Sequence, residues 1–354
     1  MKKIVGTICF ALLAFSTLSA QETKRVLFIG NSYTEVNNLP DMVQRIASEM
    51  GDRMEYRQNT PGGCTFRLHL QNESLDLIRQ GGWDVVVLQE QSQLPSFPPE
   101  QVARECFPYA AQLVEEIYDA NPDGEAMFYM TWGRRNGDAE NGQIYPPLAT
   151  YEGMDSLLYE RYMYMAEVND ASVCPVGRVW RRLRESHAEI ELYADDGSHP
   201  SMAGTYAAAT AFYTMIFRQS PENITYHPDE VDDMTASVIR QTVQRVVYDS
   251  LSFWLRRSQD TTQTDTTQTD TVGIALYPAE STSFALHPNP CQDKVTVTVD
   301  ERTLPCTAEL YTLDGRKITS WRLTESRSQH QLKGLPTGDY VVKVRRNTKI
   351  LSVR

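Results

Sequence analysis

Four consecutive apolar residues, Val26-Leu27-Phe28-Ile29, run between Lys24-Arg25 and Gly30-Asn31. A short run that is apolar at every position belongs to a strand buried on both faces, as in a parallel sheet covered by helices. Val85-Val86-Val87-Leu88 after Trp83-Asp84, and Ala126 to Thr131, read the same way, and Arg53–Asn59 and Ser172–Val176 bring the expected strands to five. Helical periodicity fills the intervals: Pro40–Met50, Pro98–Ala120 with a kink or break at Pro108, Tyr151–Val168, Gly177–Ser186, Ser201–Phe217 and Asp229–Arg257. Alternating strands and helices predict an α/β fold, a flavodoxin-like parallel sheet with helices on both faces.

In such sheets ligands bind beyond the carboxyl ends of the strands. The first polar side chains past those ends are therefore the ones to weigh. After Ile29 the chain reads Gly30-Asn31-Ser32, which offers a serine as nucleophile or, more simply, as a cap for the next helix. Far downstream, Asp196-Gly197-Ser198-His199 places a carboxylate and an imidazole in one tight turn. A serine needs a base and the base needs an orienting carboxylate, so the two segments together favour the nucleophile.

These segments resemble the SGNH (GDSL-like) hydrolases over roughly residues 24 to 217. Their first block is G-D-S or G-N-S and their last is D-x-x-H. The resemblance implies a serine esterase with Ser32 as nucleophile, His199 as base and Asp196 as its orienting partner. It also implies an oxyanion hole from the N–H groups of Ser32 and Gly63, the latter in the turn Gly62-Gly63-Cys64-Thr65. The family's third donor is the asparagine of G-x-N-D, which this chain lacks. Leu88-Gln89-Glu90-Gln91 stands in its place. Likeness to L-Q-x-x-S branches points to Gln89, and strict counting points to Gln91. In an extended segment both would face one side, and the choice stays open.

The loop from Trp132 to Leu148 leaves the same end of the sheet. Trp132, Arg134 and Tyr145 are its candidate substrate contacts, with Gln91 beside them. Aromatic faces with amide and guanidinium donors suit sugars, and the expected substrate is a short acyl ester, acetyl first, on a carbohydrate. The alternatives are a lipase or thioesterase for longer chains and a catalytically silent glycan binder. His69 reads more readily as a surface or satisfied helix histidine than as a pocket residue. Neither a cofactor nor a metal is called for by any motif.

Outside this domain the chain has three further parts. Residues 1–20 form a basic, then apolar, then small-residue segment, which is the pattern of a secretory signal peptide. The hydrolase domain is expected over 21–257. Residues 258–272 repeat Asp, Thr and Gln with hardly an apolar side chain, so this tract cannot bury a core and is expected to be a disordered linker. Over 273–354 the period changes to two, as in Val295-Thr-Val-Thr-Val, which predicts a small all-β antiparallel sandwich. His287-Pro-Asn-Pro, Tyr311-Thr-Leu-Asp-Gly315-Arg316 and Leu335-Pro-Thr-Gly338-Asp-Tyr340 together resemble the type IX secretion sorting tail of the Bacteroidetes.

That tail implies secretion machinery as a partner, and a secreted or cell-surface protein exported through the periplasm. A net charge of −12 disfavours nucleic acid and anionic membrane as partners, and beyond the signal no apolar run is long enough to span a bilayer. Among the cysteines, Cys291 with Cys306 is the one pairing the spacing suggests.

Overall fold

The computed structural model describes residues 23–255, 284–289, 291–300, 303–312, 317–332, 334–344 and 347–354. The expected signal peptide, the 258–272 linker, Pro290 and residues 313–316 of the second tail motif lie outside them.

The first unit is a 5-stranded parallel sheet built from β1 (Thr23–Ile29), β2 (Arg53–Asn59), β3 (Val85–Leu88), β4 (Glu125–Tyr129) and β5 (Ser172–Cys174), in the order β2-β1-β3-β4-β5. This is the flavodoxin-like order expected from the sequence. The strand that carries Gly30-Asn31-Ser32 is interior, with Val26 paired to Tyr56 on one side and Val85 on the other. Val26, Leu27, Phe28 and Ile29 are wholly buried. Each contributes about 1.5–3 kcal/mol of hydrophobic stabilisation.

Helices cover both faces: α1 (Ser32–Glu35), α2 (Leu39–Glu49), α3 (Phe66–His69), α4 (Glu73–Arg79), α5 (Pro99–Glu105), α6 (Phe107–Ala120), α7 (Tyr151–Asn169), α8 (Val176–Ser186), α9 (Met202–Phe217), α10 (Asp233–Val246) and α11 (Leu251–Trp254). In α9, Ala207, Ala208, Ala209 and Ala211 are buried, and these small side chains let the helix lie close between α2 and α10. The helix expected around Pro108 is broken rather than kinked. α5 ends at Glu105, and Pro108 sits in the first turn of α6, where its missing N–H costs nothing. The long final helix also stops early, at Val246, whose carbonyl accepts the Trp254 indole N–H at 2.8 Å as the chain folds back.

In the C-terminal unit the named strands pair antiparallel. Its strands are β6 (Ala285–His287), β7 (Lys294–Thr298), β8 (Cys306–Thr312), β9 (Lys317–Leu323), β10 (Arg327–Gln331), β11 (Gly338–Val344) and β12 (Asn347–Val353). They form sheets ordered β10-β7-β6 and β12-β11-β8-β9 around Val295, Val297, Leu310, Val342 and Leu351. Cys291 and Cys306 are separate buried thiols here, which removes the suggested pairing. No helix among the described residues is long and apolar enough to cross a membrane.

Candidate active site

The turn after β1 is held from below by a closed set of hydrogen bonds. Gly30 is needed there because a Cβ at this position would lie 2.5 Å from Thr34 Oγ1 and 2.7 Å from Gln89 Oε1. The Gly30 carbonyl accepts His69 Nε2–H at 2.9 Å, while His69 Nδ1 accepts the Ser74 hydroxyl at 2.7 Å. Burial lowers the His69 pKa to about 4, so the ring is neutral and this tautomer fits. His69 is thus a satisfied buried histidine, not a surface one.

Asn31 is extended and caps the single turn of α1, its Oδ1 accepting Tyr33 N–H at 3.2 Å. Its Nδ2 donates to the carbonyls of Cys64 at 3.1 Å and Glu90 at 3.4 Å, which ties together the ends of β1, β2 and β3. Ser32 follows, half-buried, at the mouth of the sheet.

The second component is the turn before α9. Asp196 Oδ1 accepts the N–H groups of Ser198 and His199, both at 2.9 Å, and Asp196 Oδ2 lies 2.5 Å from His199 Nδ1. His199 Nε2 lies 2.8 Å from Ser32 Oγ. Burial works against the Asp196 charge, but the His199 bond and the two N–H groups outweigh it and hold its pKa below the ordinary carboxylate value. An ionised Asp196 keeps the proton on Nδ1 and leaves the Nε2 lone pair for the serine. The turn is braced from behind: Arg135 N–H donates to Gly197 O at 2.8 Å, its Nη2 reaches Ala194 O at 3.2 Å, and Trp132 Nε1 donates to Ser198 O at 3.0 Å.

Of the residues singled out in the sequence, Ser32, Asp196 and His199 come together in one line of contacts. Gly63 lies in an exposed turn with φ of +67°, one residue before the Cys64 carbonyl that Asn31 grips. Gln89, one of the two candidate third donors, has its amide engaged within the protein. It is wholly buried, its Nε2 donates to Asn31 Oδ1 at 2.9 Å and Glu90 O at 2.5 Å, and its Oε1 accepts Asn31 N–H and the Thr34 hydroxyl. Both amide protons are committed. Gln91 is half-buried and differs: its Oε1 is pinned by the N–H groups of Gln93 and Leu94 at 2.9 and 3.0 Å, while its Nε2 makes one long contact of 3.4 Å.

Trp132 also departs from its expected place at the cleft surface. It is wholly buried, stacked on Trp180 at 3.7 Å and on Tyr33 at 4.8 Å. Arg134 is part-exposed, 3.7 Å from the buried Asp138, and Tyr145 is half-buried. Asp138 organises this loop, accepting from Gln93 Nε2 at 2.5 Å and Asn141 Nδ2 at 2.8 Å. Sequence reasoning gave no supporting role to Asn31, Tyr33, Asp138 and Trp180, and it read Arg135 as a sugar-facing donor, whereas all five hold the site through partners distant in the chain. Only adjacency to Ser32 or to the Trp132 loop could have flagged any of them.

Comparison with known proteins agrees with both halves. Residues 285–354 match the family model of the secretion system C-terminal sorting domain, which marks the chain for export by type IX secretion to the cell surface or extracellular space. The parallel-sheet unit shares its fold with a DUF4886 family protein from Bacteroides uniformis, at a TM-score of 0.56 and 17% identity, covering 66% of this chain and 96% of that one. Also similar are a protein provisionally assigned as an SGNH hydrolase from Slackia heliotrinireducens (TM-score 0.45, 29% identity, 54% and 98% covered) and an acetyl-xylooligosaccharide esterase from Geobacillus (TM-score 0.40, 18% identity, 55% and 94% covered). No curated protein matches the chain.

Proposed function

We propose that this chain is an exported serine esterase that cleaves short acyl esters, acetyl first, on carbohydrate. The observation that carries the reading is the line from Ser32 Oγ to His199 Nε2 to Asp196 Oδ2, at 2.8 and 2.5 Å, beyond the carboxyl end of an interior parallel strand. In this reading Ser32 Oγ attacks the ester carbonyl as His199 Nε2 takes its proton. The same imidazolium, steadied by Asp196, returns the proton to the departing alcohol, and water then cleaves the acyl-enzyme.

The N–H groups of Ser32 and Gly63 are the proposed backbone oxyanion donors. Gln91 is the proposed third, because its oxygen is anchored on two N–H groups and its Nε2 is the less committed end. With Trp132 buried, the carbohydrate side of the reading rests on Arg134, Asn136, Gln143 and Tyr145 along the loop after β4. Ile144, 84% exposed in that loop, stands among polar neighbours Asn141 and Gln143 and next to Tyr145, Pro146 and Pro147.

The test is kcat/KM of the mature full-length chain on acetyl, butyryl and octanoyl esters of one alcohol and on acetylated oligosaccharides. Ser32→Ala and His199→Ala serve as controls. The expected result is a steep fall with acyl length and a loss of several orders of magnitude in each variant, with the double variant little worse than either. Rates that rise with chain length favour the lipase reading. Oligosaccharide binding without turnover in the wild type favours the silent binder.

A further inference from the structure

The residue after Ser32 and the residue before His199 are bonded to each other: Tyr33 Oη and Ser198 Oγ stand 2.6 Å apart. The Tyr33 ring is 2% exposed, stacks on Trp132 and sets its edge against the His199 imidazole at 5.3 Å. On the other side of His199, the Pro200 carbonyl accepts Asn37 Nδ2–H at 3.2 Å, and the same Nδ2 reaches Thr205 Oγ1 at 2.9 Å. Asn37 has φ of 55° and Asn38 φ of 50°. Left-handed backbone at two successive non-glycine residues costs free energy, and it persists only where the surroundings enforce it.

We infer that Tyr33 and Asn37 are positioning residues that clasp His199 from both sides, fixing its imidazole against Ser32 from the nucleophile's own segment. The inference rests on the proposed Ser32–His199–Asp196 chemistry. Its physical basis is that the base sits on an exposed turn, with side chains of His199 and Asp196 34% and 50% accessible. A turn so placed drifts easily by the fraction of an ångström that spoils proton transfer across 2.8 Å. The Arg135 contacts tie that turn to the loop after β4, and the Trp132 indole, which holds Ser198 O, meets the Ser32 segment through its stack on Tyr33. The Tyr33–Ser198 and Asn37–Pro200 bonds set the turn's distance from Ser32, because Tyr33 and Asn37 lie one and five residues beyond Ser32.

The experiment uses the mature full-length chain, p-nitrophenyl acetate as substrate and a fluorophosphonate as a probe of serine reactivity. Tyr33→Phe keeps the stacked ring and removes only the hydroxyl, Ser198→Ala removes its partner, and Ser198→Thr keeps a hydroxyl there. Asn37→Gly removes the amide while tolerating the left-handed backbone. Tyr33→Phe and Ser198→Ala should each lower kcat and the fluorophosphonate rate about 10- to 100-fold with KM within about twofold. Combined, they should lose no more than either alone, since they share one bond. Ser198→Thr should restore most of the rate, and Tyr33→Phe with Asn37→Gly should lose more than either single variant. Wild-type kcat in Tyr33→Phe and Ser198→Ala, with or without a lower melting temperature, overturns the clasp while Ser32→Ala remains inactive. Activity surviving in Ser32→Ala overturns the underlying chemistry instead.

Discussion

Gln89 and Asn31 hold each other through hydrogen bonds of opposite sense: Asn31 N–H donates to Gln89 Oε1 at 3.0 Å, and Gln89 Nε2 donates to Asn31 Oδ1 at 2.9 Å. A side chain so engaged beneath the nucleophile turn supports that turn and has no proton to spare for a substrate.

Gln89→Ala should therefore act first on stability. It leaves the Asn31 N–H and the Thr34 hydroxyl buried without partners and opens a small cavity, a loss of about 2–4 kcal/mol. Gln91→Glu keeps the anchored oxygen and removes the Nε2 protons. It should unfold at nearly the wild-type urea midpoint yet lose about 10²–10³ in kcat. Urea titrations beside steady-state rates separate the two. A Gln89→Ala protein of unchanged midpoint and reduced kcat would return the oxyanion role to Gln89.

Trp132→Phe probes whether the indole supports the site or stacks on sugar. It removes the N–H that holds Ser198 O and shrinks the stack on Trp180, so the melting temperature should fall by several degrees. Because the ring is buried, KM for an acetylated oligosaccharide and for a small aryl acetate should move together. A selective rise for the oligosaccharide alone would place Trp132 at the substrate after all.

These two residues show where the sequence stopped being informative. The five parallel strands and the Ser32 and Asp196–His199 blocks were legible because apolar runs mark buried strands and because a serine with a histidine and a carboxylate has recognisable chemistry. The side on which Gln89 and Gln91 fall was not. That reading assumed extended backbone past Leu88, whereas the chain leaves the strand there and Gln91 caps the turn at Leu94–Ser96. Trp132 looked like a loop aromatic because its partners Trp180 and Tyr33 arrive from other strand ends, which no local pattern announces.

Deleting residues 273–354 should leave ester hydrolysis intact and keep the protein from the surface and the medium of its host. The matched sorting domain occupies 285–354, while the Ser32–His199–Asp196 contacts all lie in the parallel-sheet unit. Fractionation of the host with an activity assay on each fraction decides it. Normal surface levels of the truncated protein would contradict the expectation.

His69 should make the fold acid-sensitive. Its pKa is about 4 when folded and about 6.5 when unfolded. A depressed value means the stabilisation is complete above about pH 6.5 and is lost as pH falls through 4. His69→Gln, which can still donate to Gly30 O, should be less stable at pH 7 but show a flatter decline from pH 6.5 to 4. Denaturant midpoints across that range that fall in parallel with the wild type would rule His69 out as the source.

Glu90 works in the opposite direction. It is wholly buried, its Oε1 accepts the N–H groups of Phe66 at 2.9 Å and Gln91 at 2.7 Å, and burial pushes its pKa up to about 8. The unfolded chain titrates the same carboxyl near pH 4.3. Between those values the folded protein holds a proton that the unfolded chain has already released. Stability from this group is therefore complete below about pH 4 and falls as pH rises through 8, by on the order of a few kcal/mol in all. Glu90→Gln keeps an acceptor oxygen for both N–H groups and cannot ionise. Its stability relative to wild type should rise from pH 5 to about pH 8 and level off beyond, where it should be the more stable protein. The check is a series of urea midpoints for the two proteins at one-unit pH intervals. A constant difference across the range would mean that Glu90 does not take up its proton on folding, and that the two N–H bonds suffice to keep it charged in the core.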